Sequence, residues 1–223
     1  MAPNLFSIFD PSSSQTMALN WSSSMFMFLF IPVMMWITPS RMIIPFNMIS
    51  FYLNNEFKII LNYYSSKNII MFLSMMIFIM LNNFISLFPY IFTSTAHLNV
   101  SLAMSLPLWL SFMLFGWINN TNNMFNHLVP QGTPPILMPF MVIIESISNL
   151  IRPMTLAVRL SANMIAGHLL LTLLSSSSIK VSYLILLFIL LSQISLIILE
   201  MSVSLIQAYV FTILSTLYCS EVK

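Results

Sequence analysis

Four charged residues lie inside otherwise apolar stretches: Glu145, Arg152, Arg159 and Glu200. Glu145, Arg152 and Arg159 are seven residues apart. On a helix they fall on one stripe that drifts by about 20° per step. Asn149, Leu156 and Asn163 fill the same face, and His168 follows Arg159 by nine residues, about half a turn round the helix. Further on, Gln193, Glu200 and Gln207 repeat the seven-residue spacing with Ser204 beside them. A carboxylate and an imidazole can each take up and release a proton, whereas a guanidinium keeps its charge and acts only through it. An Arg at the centre of a bilayer costs about 3 kcal/mol on insertion scales and about 10–17 kcal/mol in simulations of an isolated helix. Lone ions in such a place are kept for a reason, most often ion translocation. Plainer roles compete. Arg152 can snorkel or neutralise Glu145, and Glu200 can be the structural partner of an Arg. Asn163 and Gln207 can be interhelical hydrogen-bond glue, worth about 0.6 kcal/mol. His97 and His127 lie near loops and carry no expected role.

The rest of the composition fits a lipid setting. Charged residues make up 5% of the 223, against about 25% in soluble domains. Hydrophobic residues make up 59%, and the mean hydropathy is +0.95. So few charges cannot coat a soluble fold of this size, so the chain reads as an integral membrane protein. A disordered segment, a collagen, a disulfide scaffold and a nucleic-acid binder are excluded, the net charge being only +2 without a basic cluster. The single cysteine, Cys219, rules out an intrachain disulfide, and no two of His97, His127 and His168 have the i, i+4 spacing of a helical metal site. No metal or cofactor is expected. Met occurs 20 times, Phe 19 times and Gly 3 times, a bias that suggests an AT-rich organellar gene. Residues 1–20 hold Asp10 and no Lys or Arg, so neither a signal peptide nor a basic transit helix is expected there.

The expected architecture is all-α: a single polytopic membrane domain over residues 1–223 with about five membrane-embedded helices. The first span covers residues 21–38. Residues 39–67 interleave Arg41, Glu56, Lys58 and Lys67 with Phe46, Ile49, Tyr52, Leu53 and Phe57, the pattern of an interfacial amphipathic helix. Three of the seven positive charges lie there, which puts the segment on the matrix or cytoplasmic face. Spans follow at 68–89, with Asn82 and Asn83 inside, and at 96–118, with Pro107 inside. Residues 119–135 read as a loop rich in Asn, Gly and Pro. Two long segments follow, 136–174 and 179–219, joined by a polar turn at 175–178. At about 1.5 Å per residue each is close to 60 Å long, about twice the hydrocarbon core of ~30 Å. The pair therefore reads as a long, steeply tilted hairpin. Packing about that turn would bring Glu200 near residue 154 and His168 near residues 185–187.

The run RPMTLAVRLSANMIAGH at 152–168 resembles the signature of subunit a of ATP synthases, called subunit 6 in mitochondria. NLFSIFDPSS, VPQGTPP, ESISNLIRP and STLYCSEV are similar to the arthropod mitochondrial form, and the likeness covers essentially the whole chain. The resemblance implies a proton-channel stator in the membrane sector of an F-type ATP synthase. In it Arg159 matches the essential arginine facing a ring of c subunits, each with one membrane-embedded carboxylate. His168 and Glu200 match the proton relay of one half-channel, and Glu145 an acidic residue on the matrix-side path. Gln207 matches a position that helps hold the arginine, and Asn163 a polar lining residue. The implied partners are the c-ring, the peripheral stalk subunit b, other membrane-sector subunits, membrane lipid and protons. The implied location is the mitochondrial inner membrane, with residues 39–67 on the matrix side.

No nucleotide-binding motif is present, so ATP chemistry would lie in partner subunits and the chain would have no catalytic site of its own. The competing class is a stand-alone transporter or antiporter subunit. It calls for inverted repeats or paired Gly/Pro interruptions, and the sequence has neither. A haem protein needs axial His on facing helices, and only His168 lies deep in a span.

Overall fold

The computed structural model describes all residues except 1–4, 15, 33–37, 62–67, 130–133, 135, 179–180 and 222–223. The described residues form seven α-helices in chain order: α1 (Met27–Phe30), α2 (Ile43–Ile60), α3 (Ile69–Ser86), α4 (Leu98–Asn119), α5 (Thr121–Leu128), α6 (Met138–Ser177) and α7 (Tyr183–Glu221). Short 3-10 segments precede α1 and α4, and the described residues form no strand. The chain is thus an all-helical, polytopic membrane protein. Among the described residues four helices, α3, α4, α6 and α7, are long and apolar enough to cross a membrane.

Over the expected first span the described chain forms a 3-10 segment, Leu19–Met25, and the single turn α1, ending in extended backbone at Ile31. Pro32 follows; residues 33–37 lie outside the described residues. α2 occupies the expected interfacial segment, whose end, with Lys67, also lies outside them. Its Pro45 sits in the first turn, where no intrahelical hydrogen bond is lost. Leu53 and Phe57 are buried, while Arg41, Glu56 and Lys58 are exposed, so one face packs inward and the charges look out.

Between helices in lipid no hydrophobic force acts, because the tails are as apolar as Leu; close packing and small residues do the work instead. α3 packs along α7, α4 along α6, and α6 against α7. The buried face of α6 is Leu156, Ala157, Leu160, Ser161 and Met164, and that of α7 includes Ser204, Ala208, Phe211, Thr212, Ser215 and Thr216. These recur at helical spacing, and most are small. The buried hydroxyls do not go unsatisfied: Ser161, Ser204, Thr212, Ser215 and Thr216 each donate to a carbonyl of their own helix three or four residues earlier. Phe57, Phe72, Ile79, Leu160 and Phe211 fill the core between the helices.

α6 has 40 residues and α7 has 39. A straight helix of about 60 Å fits within ~30 Å of hydrocarbon only when inclined by roughly 60°. Two expectations change. Residues 121–128, read as loop, form α5: Met124 packs against the core, and Phe125 meets Trp117 edge to face at 4.9 Å. Tertiary contacts override the poor helix propensity of its three Asn residues. The polar turn also lies later than 175–178. Ser175, Ser176 and Ser177 remain helical, each hydroxyl donating to the carbonyl three residues before, so serine here prolongs the helix. The Pro/Gly residues 130–133 and Lys180 lie outside the described residues.

Candidate functional site

Three polar groups lie in a row along the α6–α7 hairpin. At the end nearer the connection, Glu200 is buried against Gly167 of α6. The approach is so close that a Cβ on Gly167 would lie 2.7 Å from Oε1 and 2.8 Å from Cδ of Glu200. Neither Glu200 oxygen has a hydrogen-bond partner among the described residues, and the same holds for the buried Nε2 of the adjacent His168. Buried polar atoms are normally paired, and leaving one unpaired costs on the order of 1–3 kcal/mol. Three such atoms, two on Glu200 and one on the residue that follows Gly167, are a feature that packing alone does not explain.

In the middle, the Asn163 amide donates to Oε1 of Gln207 at 3.3 Å, joining the two arms. Arg159 lies one turn before Asn163 on α6 and is exposed. It forms no ion pair or hydrogen bond with the described residues.

At the far end, Arg152 binds two carboxylates: Nη1 to Glu221 Oε2 at 2.9 Å and Nη2 to Glu145 Oε1 at 3.4 Å. Its guanidinium also lies 5.3 Å from the centre of the Tyr218 ring, within cation–π range. These ions line a cavity of about 430 Å³, walled on the α4–α5 side by Trp109, Met113, Trp117, Met124 and Leu128 and on the α6 side by Asn149 and Ser146. At about 1.5 Å per residue, Arg152 and Arg159 are some 10 Å apart along α6, and Arg159 and His168 some 13 Å.

The seven residues singled out by sequence thus fall into these three groups: His168 and Glu200 on either side of Gly167, Asn163 with Gln207 beside Arg159, and Glu145 with Arg152. Two corrections apply. Glu200 meets Gly167 rather than the region of residue 154, because the turn comes later and α6 is longer. Glu221, not among the four charges singled out in the apolar stretches, is the closer partner of Arg152. Its signal was present: Glu221 lies three steps of seven beyond Glu200, on the stripe of Gln207. Gly167 offered no such signal beyond its place next to His168. Among the described residues no three His, Cys, Asp or Glu side chains gather as a metal site would require.

Fold and site together define a polytopic helical membrane protein with ionisable groups strung along one long hairpin. Residues 16–220 match the family described as ATP synthase A chain. The chain is similar over the full length of both sequences to ATP synthase subunit a of Drosophila yakuba (57% identical), Locusta migratoria (56%) and Anopheles gambiae (58%). It belongs to the ATP synthase subunit a family. It is accordingly a membrane-sector subunit of the F-type complex, without a catalytic site of its own, serving ion transport and ATP synthesis beside other membrane-sector subunits.

Proposed function

We propose that this chain is the proton-channel stator of a mitochondrial ATP synthase and that Arg159 is the residue against which the c-ring turns. The observation that carries the reading is Arg159 itself: a permanent cation, exposed on a membrane-spanning helix, with no counter-ion from the described residues. An uncompensated ion in lipid is costly. A carboxylate on a partner subunit would neutralise it, and the cation would favour the deprotonated form of that carboxylate. A carboxylate leaving Arg159 for lipid must first take a proton, because an unpaired anion there is too costly.

His168 and Glu200 supply and accept protons on one side, through the half-channel that opens beyond Arg159. Glu145, in its cavity with Arg152, serves the matrix-side half-channel. The Asn163–Gln207 bridge holds the two arms in register beside Arg159. The cation also stops protons passing directly from one half-channel to the other. Each proton crossing releases about 2.3 kcal/mol per 100 mV of potential, which turns the ring. On this reading the chain sits in the mitochondrial inner membrane, with residues 39–67 on the matrix side by their positive charge. Its neighbours are the c-ring and the peripheral stalk subunit b. The competing class, a stand-alone transporter, has no feature among the described residues that favours it, and the three full-length relatives named above carry the subunit a name.

The test is Arg159→Ala in the whole complex. Assembly should persist while ATP-driven proton pumping and ATP synthesis are abolished. Normal coupled synthesis in that variant would overturn the reading.

A further inference from the structure

The Tyr209 hydroxyl donates to Oε2 of Glu56 at 3.0 Å, joining α7 to α2 across 153 residues of sequence. We infer that Glu56 is a positioning residue for proton translocation, fixing through Tyr209 the rotation of α7 that aligns Gln207 and Glu200. This rests on the reading of the hairpin as the proton path.

Two features of α7 support it. From Tyr183 to Leu199 α7 has no buried residue, so within this chain the helix is held only from Glu200 onward, by α3, α4 and α6. Gln207 and Tyr209 are two residues apart, about 200° round the helix. Their polar contacts therefore grip α7 from opposite flanks: Asn163 of α6 on one side and Glu56 of α2 on the other. Side chains of α3, α4 and α6 pack against this half of α7, and the Glu56 bond adds a directional polar contact from α2 that fixes the rotation more finely than apolar packing does. The grip has a firm base, because Leu53 and Phe57, one turn before Glu56 and next to it, are buried in the same core as Ala208 and Phe211. A bond to an ionised acceptor is also stronger than one between neutral groups. The other charges of the segment, Arg41 and Lys58, are exposed and make no ion pair with Glu56 among the described residues.

The test uses membrane vesicles holding whole complexes with Glu56→Ala, Tyr209→Phe, both together, or Glu56→Gln. Proton flux is read per assembled complex, with assembly measured separately. Glu56→Ala and Tyr209→Phe should each lower flux per complex about three- to tenfold, the scale of one hydrogen bond to a charged group partly exposed to water. The double variant should be no worse than either alone, and Glu56→Gln, which keeps an acceptor oxygen, should restore most of the flux. Additive losses would overturn the inference. So would flux per complex that stays normal while assembly alone falls, or Glu56→Gln as impaired as Glu56→Ala. Arg159→Ala is run beside them. If it pumps normally, the proton-path reading falls; if it is dead while the Glu56 and Tyr209 variants run normally, only the inference falls.

Discussion

Adding one methyl group at Gly167 should cost proton flux far more than stability. The new Cβ would lie 2.7 Å from Oε1, 2.8 Å from Cδ and 3.1 Å from Cγ of Glu200. Carbon contacts settle at about 3.5–4.0 Å, so the carboxylate must retreat by about 1 Å. The obstacle is the end of a flexible side chain, and Gly167 lies within α6, where Ala is the better helix former by about 1 kcal/mol. Folding and assembly should therefore tolerate Gly167→Ala. Function should not, since a displacement of ~1 Å from a working geometry can cost about a hundredfold in rate. We expect ATP-driven acidification of vesicles, normalised to assembled complex, to fall between ten- and a hundredfold. Glu200→Asp retracts the carboxylate by one methylene, so adding it to Gly167→Ala should recover part of the loss, although Glu200→Asp alone is impaired. Wild-type flux in Gly167→Ala, or a double variant worse than both singles, would refute the argument that this close approach sets the position of Glu200.

Other outcomes follow from the packing. Ala157 is fully buried on α6; Ala157→Leu should lower the stability of the membrane sector by about 1–3 kcal/mol through overpacking, read as a lower melting temperature of the purified complex. Phe57, fully buried at the α2 contact, should cost about 3 kcal/mol or more when cut to Ala, read as faster proteolysis within residues 43–60. Asn163→Leu removes one bridge worth about 0.6 kcal/mol, so its melting temperature should barely move; a large drop would make the Asn163–Gln207 bond a major structural tie.

The long helices were legible because a membrane leaves few options. Runs of apolar residues longer than a bilayer crossing, with Pro and Gly confined to a few places, mark α3, α4, α6 and α7 in the sequence. The faces of α6 and α7 were legible too, since the seven-residue spacing of Glu145, Arg152 and Arg159, and of Glu200 and Gln207, holds whatever the partner. What periodicity does not carry is which residue of one arm meets which of the other. That depends on where the turn falls, and Ser175–Ser177 prolong the helix by bonding their hydroxyls to the preceding turn. Hence Glu200 was expected far from Gly167, and Glu221 was not singled out. α5 was missed for a different reason: its helical state comes from Met124 and Phe125 finding partners, and no local preference announces it.

The bare flank of α7 has a consequence for the life of the protein before it meets its partners. Ile194, Ile197, Ile198 and Leu199 of this stretch are exposed, and Arg159 stands without a counter-ion from the described residues on the neighbouring arm. A copy released alone into the bilayer would have its cation facing lipid and its hairpin only half supported. Such a copy is a poor resting state and a ready substrate for membrane quality control. Its supply should therefore track that of its neighbours: when ring subunits are withheld, this chain should turn over quickly rather than accumulate.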